Sequence, residues 1–382
     1  MSEKKKILIF IDWFLPGYKA GGPIRSVANM VDWLSDDFSF KIITTDTDYL
    51  ESESYKNIES NTWTKFNNNT SIYYFSKEKL TKRNFNNLIK TTDFDIAYIN
   101  GVYSFYFSIF SLFLLRKTKK KIIVASRGML SKHAFSSKSL KKTVFLNFAK
   151  MFGLYKNIIF QATDKKEADD IKQIIRKFKD IIVVPNLSKK TVYFENRIKE
   201  KEPGILKLVS IARISTEKNT FFALQMLLSR NYNGNIQFDL YGSVYNDEYW
   251  KKCKEIIKNL PENIFVNYKG PVESSKVHET FSDYHVSFMP SKGENFGHSV
   301  LESLAAGCPV ITSDQTPWRN LEDKKIGWDI ALTDNDKFVN TIQKCIDMNQ
   351  KEYSELSEKA FNFAKIISED KKIISDYFNL FS

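Results

Sequence analysis

The sequence predicts an α/β protein built from two doubly wound, Rossmann-like domains. Three observations lead to this fold class. The chain has 382 residues, which is enough for two separate cores. Short apolar runs alternate with helical patterns along the chain, as in βαβ units. The runs are continuously apolar rather than alternating with polar residues, which is typical of parallel strands covered on both faces.

Seven apolar runs predict strands in the first half of the chain. They are residues 7–11, 40–45, 71–75, 95–99, 121–126, 157–162 and 181–185. A helix is predicted from about Pro23 to Leu34, because apolar residues recur there at i, i+3, i+4 and i+7. The apolar run at 105–115 has eleven residues, well short of the roughly 20 needed to cross a bilayer. We interpret it as a buried helix in preference to an interfacial one.

Five more runs predict strands in the second half: residues 206–212, 236–242, 264–270, 285–290 and 309–313. A polar, charged segment that ends in Pro-Gly separates the two halves and predicts a linker at 187–203. The expected domains are therefore 1–186 and 204–360. The helical pattern near the end predicts a terminal helix at 361–382, which we expect to return to the first domain.

Lysine and arginine outnumber aspartate and glutamate by 57 to 45, a formal net charge of +12. Such an excess fits nucleic acid, an anionic membrane surface or acidic small substrates. It is concentrated in runs such as RKTKKK (116–121) and KSLKK (138–142), where a solvated face and a functional patch are equally good interpretations. The N-terminus predicts a first strand rather than a signal peptide.

The three cysteines lie far apart in the sequence, at Cys253, Cys308 and Cys345. Their spacing predicts neither a metal site nor a disulfide framework, so a reducing cytoplasm fits.

Two glycines precede the first predicted helix. Gly21 and Gly22 allow the backbone to approach a ligand closely, and Pro23 suits the first helical position. Free amides at a helix N-terminus bind anions. The G-x-G-x-x-G signature of dinucleotide binding is missing, and a plain glycine turn is the alternative interpretation.

Two cations follow the first predicted strand of the second domain. Arg213 lies just past the strand end and Lys218 follows five residues later. In open α/β sheets, ligands bind at the carboxyl ends of the strands. Two cations there are able to clamp a diphosphate, although surface arginines and lysines are common.

The stretch GENFGHSVLESLAAGCPVITSD (293–314) carries two glutamates. Ser299 and Glu302 form S-x-x-E, the pattern of a capping box, so Glu302 has a structural explanation. Glu294 has no such explanation, since it lies in a glycine-flanked loop. The N-terminus of the following helix would attract phosphate. A carboxylate is able to hold the hydroxyls of a sugar, and cations and helix amides are able to hold a diphosphate. Together these groups predict a sugar-nucleotide site.

Together these motifs closely resemble the retaining glycosyltransferases of family 4, within the group 1 glycosyl transferases. Their GT-B fold has two Rossmann-like domains that face each other across a cleft. The E-x7-E pattern from Glu294 to Glu302, followed by QTPWRNLE, is the most specific signal. Supporting segments are GYKAGGPIRSVANMV (17–31), SRGML (126–130), PNL (185–187) and ARISTEKN (212–219). In SRGML, Ser126 stands where proline is usual.

The resemblance implies a role for each matching residue. Glu294 would contact hydroxyls of the donor sugar and Glu302 the ribose, while Arg213 and Lys218 would neutralise the diphosphate. Arg127 stands where many relatives have a histidine that faces the donor sugar. Whether Arg127 replaces that histidine therefore stays open. The other expected donor-site residues are Gly21 and Gly22 in the first domain, Gly270, Pro271 and Val272 around the base, and Asn295, Phe296, Gly297, His298 and Ser299 around the phosphates.

The remaining histidines are not expected in the site. His133 is interpreted as a surface histidine, and His278 and His285 as structural.

The resemblance implies retaining transfer of a sugar from a UDP- or GDP-sugar to a saccharide or lipid-linked saccharide, in bacterial surface polysaccharide synthesis. No metal is expected, since cationic side chains are available to do the work that a metal would otherwise do. We expect a cytoplasmic protein that binds the inner face of the membrane through the basic runs and the 105–115 stretch.

Two alternatives stay open. A sugar-nucleotide 2-epimerase has the same fold and would act without an acceptor. A nucleic-acid-binding protein is suggested by the charge alone, and no recognisable module supports it. We therefore expect no nucleic-acid partner.

Overall fold

The computed structural model describes residues 4–131, 139–190 and 199–382. The chain divides into two compact units. The first comprises Met1–Lys190 and Asp370–Ser382, and the second comprises Thr191–Glu369. His133 and the centre of the predicted linker lie outside the described residues, as do the side chains of the basic run at 138–142.

Within the described residues, the first unit contains an eight-stranded sheet in the order β3-β4-β2-β1-β5-β6-β7-β8. Its neighbours are parallel, except that β3 runs antiparallel to β4. The chain order reverses between β1 and β5, so the topological switch point lies at their carboxyl ends. The strands are β1 Lys6–Phe10, β2 Ser39–Thr45, β3 Trp63–Asn67, β4 Thr70–Phe75, β5 Ile96–Asn100, β6 Lys121–Ala125, β7 Ile159–Ala162 and β8 Asp180–Val183.

Helices cover both faces of this sheet because successive strand residues point to opposite sides. Ile7 and Ile9 of β1 pack under α1 and α12. Leu8 and Phe10 point to the other core, which α2, α3, α4 and α5 cover. The helices are α1 Gly22–Leu34, α2 Lys82–Thr91, a π-helical turn Phe105–Phe110 leading into α3 Ser111–Leu115, α4 Ser139–Met151, α5 Lys165–Ile174 and α12 Lys371–Phe381.

The second unit contains a parallel sheet in the order β11-β10-β9-β12-β13-β14. This is the Rossmann order, and its switch point lies between β9 and β12. The strands are β9 Ile205–Ile211, β10 Asn235–Tyr241, β11 Ile264–Gly270, β12 Val286–Met289, β13 Val310–Ser313 and β14 Gly327–Ile330.

Helices also cover both faces of the second sheet. One core, which includes Leu208, Phe238 and Phe288, lies under α6, α7 and α10. The opposite face packs against α8, α9 and α11. The helices are α6 Thr220–Leu228, α7 Asp247–Lys258, α8 Val277–Ser282, α9 His298–Ala305, α10 Asn335–Asp347 and α11 Gln350–Ser368.

Each predicted strand is present with its ends shifted by at most two residues, and the predicted fold class is confirmed. Strands β3 and β14 were not predicted. Strand β3 (WTKFN) is a half-exposed edge strand without an apolar run, and β14 (GWDI) has only four residues. Helix α1 begins at Gly22, one residue before Pro23.

The predicted helix at 105–115 consists of the π-helical turn and α3. Phe107 and Leu112 are buried there, whereas Phe105 and Phe113 are 49% and 43% exposed. Across the described part of the chain, no helix has both the length and the apolar character that a membrane span requires.

Residues 199–201 are anchored on the second unit by buried polar contacts. Lys201 is 3% exposed, and its Nζ donates to the carbonyl of Ile346 near the end of α10 at 3.0 Å. His285 is also 3% exposed, and its Nε2 lies 2.9 Å from the carbonyl oxygen of Glu200. These contacts agree with the structural role expected for His285.

Candidate functional site

Two loops of the second unit meet at the switch point of its sheet. One follows β9 and carries Arg213 and Lys218, and the other follows β12 and carries Glu294. The amide of Lys292 donates to the carbonyl of Glu217 at 2.8 Å and joins the two loops. Because β9 and β12 are neighbours in the sheet, their carboxyl ends bring these predicted site residues together.

Lys218 and Glu294 form an ion pair. The Lys218 Nζ lies 2.5 Å from Glu294 Oε1, and the two side chains are 19% and 9% exposed. Ser291 Oγ donates to the same carboxylate oxygen at 2.8 Å. Charge-assisted hydrogen bonds of this kind are stronger than neutral ones. The predicted carboxylate and the predicted cation therefore belong to one charged pair.

Strand β13 supports the loop that carries this pair. Ser313 Oγ donates to the carbonyl of Ser291, and Thr312 Oγ1 donates to the carbonyl of Met289 at 2.8 Å. Both hydroxyls are buried. Ser291 and Ser313 were not predicted as site residues, because a small polar residue near a strand end gives no distinctive signal.

Arg213 has an aromatic and an acidic neighbour. Its guanidinium carbon lies 5.5 Å from the centre of the Tyr245 ring, within cation–π range. Burial raises the pKa of the Glu217 carboxyl, but hydrogen bonds from its own backbone and from Ser215, with the charge of Arg213, lower that pKa overall. These neighbours hold the Arg213 side chain within the loop that also carries Lys218.

Helix α9 begins differently from the prediction. Its N-cap residue is Gly297, with φ 78°, and no side chain caps the helix. Ser299 lies inside the helix, and its Oγ donates to the carbonyl of Ile211 at 2.8 Å. The predicted capping box of Ser299 and Glu302 is therefore wrong, and Glu302 is half-buried in the second turn. The Ser299 bond instead fixes the helix N-terminus against the end of β9.

Trp318 enforces the turn before α9. A Cβ atom on Gly297 would lie 2.8 Å from Trp318 Nε1, which donates to the carbonyl of Phe296 at 2.6 Å. The Phe296 ring packs on Trp318 and on His298, at centroid distances of 5.9 and 4.7 Å. The side chains of Phe296 and His298 are thus engaged in packing, and phosphate binding by the backbone of this turn stays a prediction.

The predicted base-binding segment follows β11, at the same carboxyl edge of the sheet. Gly270 has φ 74°, and its carbonyl accepts from the amide of Gly242 at 2.9 Å. Val272 packs with Tyr241 against an apolar cluster on the face of α8 and α9. Pro271 is exposed. This segment therefore combines an apolar wall with an open rim.

The predicted glycines of the first unit lie at the switch point of its own sheet. Gly21 is the N-cap of α1 with φ 75°, and a Cβ atom on Gly21 or Gly22 would meet no atom within 4 Å. Asp12, which was not predicted, follows β1 and accepts from Ser104 Oγ at 2.6 Å. Burial raises the pKa of the Asp12 carboxyl. The bond bridges the ends of β1 and β5.

Arg127 contacts residues of its own unit. Its Nε donates to Asn100 Oδ1 at 2.7 Å, its Nη2 donates to the hydroxyl of Tyr98 at 2.8 Å, and its Nη1 donates to Asn186 Oδ1. Its φ is 53°, in the left-handed region. The guanidinium joins two strand ends of the first sheet, and a contact with the donor sugar stays a prediction.

In the described ranges, no group of three or more His, Cys, Asp or Glu side chains is arranged to hold a metal ion. Cys253, Cys308 and Cys345 are buried and free. Burial raises the pKa of the Cys253 thiol to about 11. Independence from metal stays a prediction.

Residues 188–363 match the family model described as Glycosyl transferases group 1. In Streptococcus pneumoniae serotype 4, the GtfA subunit of UDP-N-acetylglucosamine–peptide N-acetylglucosaminyltransferase is 28% identical over 125 residues, which are 32% of this chain and 24% of that protein. The matched part thus spans about a quarter of that relative.

Two solved structures are similar over nearly the whole chain. Anabaena Alr3699/HepE, in complex with UDP and glucose, aligns with a TM-score of 0.68 and 14% identity over 98% of both chains. Sucrose-phosphate synthase from Thermosynechococcus elongatus aligns with a TM-score of 0.70 and 15% identity, over 99% of this chain and 98% of that one. At these identities the likeness shows the fold.

Proposed function

We propose that the chain is a group 1 glycosyltransferase, the family whose model matches residues 188–363, and that it transfers a sugar from a UDP-sugar to a saccharide acceptor with retention of configuration. Its GT-B fold supports the proposal. One observation carries the proposal: the Lys218–Glu294 pair joins two loops at the switch point of the second sheet, the one that follows β9 and the one that leads into α9. A cation, a carboxylate and helix amides are what a sugar diphosphate requires.

The proposed roles follow from these positions. Glu294 accepts hydrogen bonds from hydroxyls of the donor sugar. Lys218 and Arg213 neutralise the diphosphate, and the backbone around Gly297 and Ser299 binds its phosphate oxygens. Glu302, in the second turn of α9, binds the ribose.

The proposed reaction needs no nucleophile from the protein. The bond between the anomeric carbon and the diphosphate oxygen breaks, and the acceptor oxygen forms its bond on the same face. The acceptor proton passes to the departing diphosphate. The protein then contributes positioning and stabilisation of the growing negative charge.

A uridine base is supported by two named relatives, one solved with UDP and glucose and the other named for UDP-N-acetylglucosamine. For this chain we propose that Val272 and Tyr241 form the wall of the base pocket. The proposed acceptor is a saccharide or lipid-linked saccharide of a bacterial surface polysaccharide. Because the streptococcal relative is named for a peptide acceptor, peptides belong in the acceptor panel.

Calorimetry with UDP, UDP-glucose, UDP-N-acetylglucosamine and GDP-mannose tests the donor site. We expect the UDP compounds to bind and Lys218→Ala to weaken UDP binding more than uridine binding, because Lys218 is assigned to the diphosphate. The matched control is Lys251→Ala, an exposed lysine of α7. Preference for GDP-mannose would contradict the proposed uridine base. Equal loss of UDP and uridine binding in Lys218→Ala would place Lys218 near the base or the ribose rather than the phosphates.

Product analysis tests the reaction class. We expect transfer to proceed with excess chelator and the product to keep the anomeric configuration of the donor, assigned by NMR coupling constants. Activity that returns only on addition of magnesium or manganese would contradict metal independence. An epimerised nucleotide sugar formed without acceptor would favour the 2-epimerase.

A further inference from the structure

The outer side of α4 carries a patch of exposed apolar side chains. Val144, Phe148, Met151 and Phe152 are 65%, 59%, 71% and 52% exposed, and we call these four residues the α4 patch. Val144, Phe148 and Met151 are spaced by four and three residues, which places them on one side of the helix, and Phe152 follows the last helical residue. The rings of Phe148 and Phe152 lie 4.3 Å apart. Single exposed apolar residues are ordinary, whereas a contiguous set marks an interaction surface.

The patch lies on the outside of a well-packed layer. Leu146 and Ala149, on the inner side of α4, are buried in the core that also holds Leu112 of α3. Helices α3 and α4 therefore cover the same face of the first sheet. Phe105 and Phe113 are exposed in that layer, and the Arg116 guanidinium lies 4.5 Å from the Phe113 ring.

The excess positive charge of the whole chain comes from one part of the sequence. Residues 96–163 contain twelve lysines and arginines and no aspartate or glutamate, which equals the formal net charge of +12. The rest of the sequence is balanced between acidic and basic residues. The stretch begins at β5 and ends after β7, so it includes α3 and α4.

Two cations line a cavity next to this part of α4. A cavity of about 380 Å³ lies at the end of α4, and its lining residues are Asn147, Ala149, Gly153, Tyr155, Ile175, Arg176 and Lys177. Arg176 and Lys177 are exposed there. Arg176 and Lys177 thus share a cavity with Asn147 and Gly153, which are the chain neighbours of Phe148 and Phe152.

We propose that the α4 patch docks on an anionic phospholipid surface. Aromatic and aliphatic side chains that enter the lipid interface gain burial, and neighbouring cations gain attraction to anionic headgroups. A nucleic acid would attract the cations but would gain nothing from contact with Val144 and Met151. A second copy of the chain would present the same excess of positive charge to itself. The surface differs from the 105–115 stretch that the sequence predicts for this role.

Co-sedimentation of the full chain with vesicles tests the proposal. Vesicles of phosphatidylcholine alone are compared with an equal mixture of phosphatidylcholine and phosphatidylglycerol. We expect binding to the mixed vesicles at low salt that weakens as salt is added. The double variant Phe148→Ser, Met151→Ser should lose roughly tenfold or more in partitioning. Phe265→Ser, at a phenylalanine of the second unit that is 60% exposed, is the matched control.

The charge contribution has its own pair of variants. Arg176→Gln with Lys177→Gln should weaken binding by roughly fivefold for each charge removed, whereas Lys251→Gln with Lys252→Gln, exposed on α7, should not. Equal binding to neutral vesicles would contradict the electrostatic part. Concentration-dependent dimers that the serine variant abolishes would assign the patch to a second copy and overturn the proposal. UDP binding, measured on the same variants, separates this result from the proposed donor site.

Discussion

The pairing of Lys218 with Glu294 sets what substitutions at either residue should do. Each charge is largely shielded from solvent, with side-chain exposures of 19% and 9%, so removing one partner leaves the other without its counter-charge. We expect Glu294→Ala to lower transfer by roughly 100-fold and to reduce the free energy of unfolding by about 1–3 kcal/mol. Glu262→Ala, at an exposed glutamate before β11, is the control in both measurements.

A double-mutant cycle separates the two effects. The variant Glu294→Ala, Lys218→Met should recover stability, because neither charge is left without its partner. If Glu294 acts only as the counter-ion of Lys218, this double variant should transfer as fast as Lys218→Met alone. If Glu294 also binds the donor sugar, it should transfer more slowly than Lys218→Met alone. Normal turnover by Glu294→Ala alone would exclude the proposed role.

Gly297 offers a second test at the same scale. An alanine there must adopt φ 78° and place its Cβ 2.8 Å from Trp318 Nε1. We expect Gly297→Ala to cost about 2–4 kcal/mol of stability. Gly293→Ala, in the same loop, meets open space and should change stability by less than about 0.5 kcal/mol. Thermal unfolding of both variants gives the comparison, and similar melting temperatures would show that the turn adapts.

What the sequence could predict of the site follows from distance along the chain. Lys218 and Glu294 were predicted because each follows a recognisable strand, and neighbouring strands bring their carboxyl ends together. Trp318 supports the turn at Gly297 from a different loop, and no local sequence pattern predicts this contact. The capping box was predicted because Ser299 and Glu302 have the right spacing, but the carbonyl of Ile211 competes successfully for the serine hydroxyl.

At the scale of elements, His285 ties residues 199–201 to the start of β12. Its Nδ1 accepts from the amide of Lys207 at 3.0 Å and its Nε2 faces the carbonyl of Glu200, so the neutral ring satisfies both. Burial, joined by nearby lysines, lowers the pKa of His285 to about 4 from its ordinary 6.5. The unfolded chain therefore binds a proton at a pH where the folded chain does not.

The sign of the pH effect follows from that difference. Stability from His285 is complete above about pH 6.5 and is lost as the pH falls toward 4. Over this range we expect the free energy of unfolding to fall by up to about 3 kcal/mol more in the wild type than in His285→Gln. His278→Gln, on α8, is the control. Equal pH slopes for the wild type and His285→Gln would contradict the assignment.

Most strands were predictable because parallel strands under two layers of helices must be apolar on both sides. Strand β3 was not predicted, because exposed residues interrupt its apolar run. Its position depends on its pairing with β4. Strand β14 has only four residues, at the edge of the second sheet. Short or edge strands depend on their neighbours rather than on a pattern of their own.

At the scale of the whole chain, α12 completes the first unit from far along the sequence. Tyr377, Leu380 and Phe381 are fully buried there, and the Phe381 ring lies 5.4 Å from that of Phe38. We expect Phe381→Ala to destabilise the first unit by about 3–5 kcal/mol. Phe378→Ala, on the same helix at 36% exposure, should cost less than half of that.

Hydrogen exchange locates the effect. Phe381→Ala should speed exchange in β1 and β5 and leave β9 and β12 unchanged, because α12 packs in the core of the first sheet. Faster exchange spread evenly over both sheets would contradict this division of the chain.

The late position of α12 also dictates an order of assembly on the ribosome. Residues up to Lys190 are synthesised first, yet their core lacks its last helix until Phe381 has emerged. The second unit is contiguous, Thr191–Glu369, and can close as soon as it is made. The usual order, in which the earlier domain folds first, is thereby reversed. A released chain that ends at Glu369 would carry a finished second unit and a first unit with an open apolar groove, which is the form that a chaperone recognises.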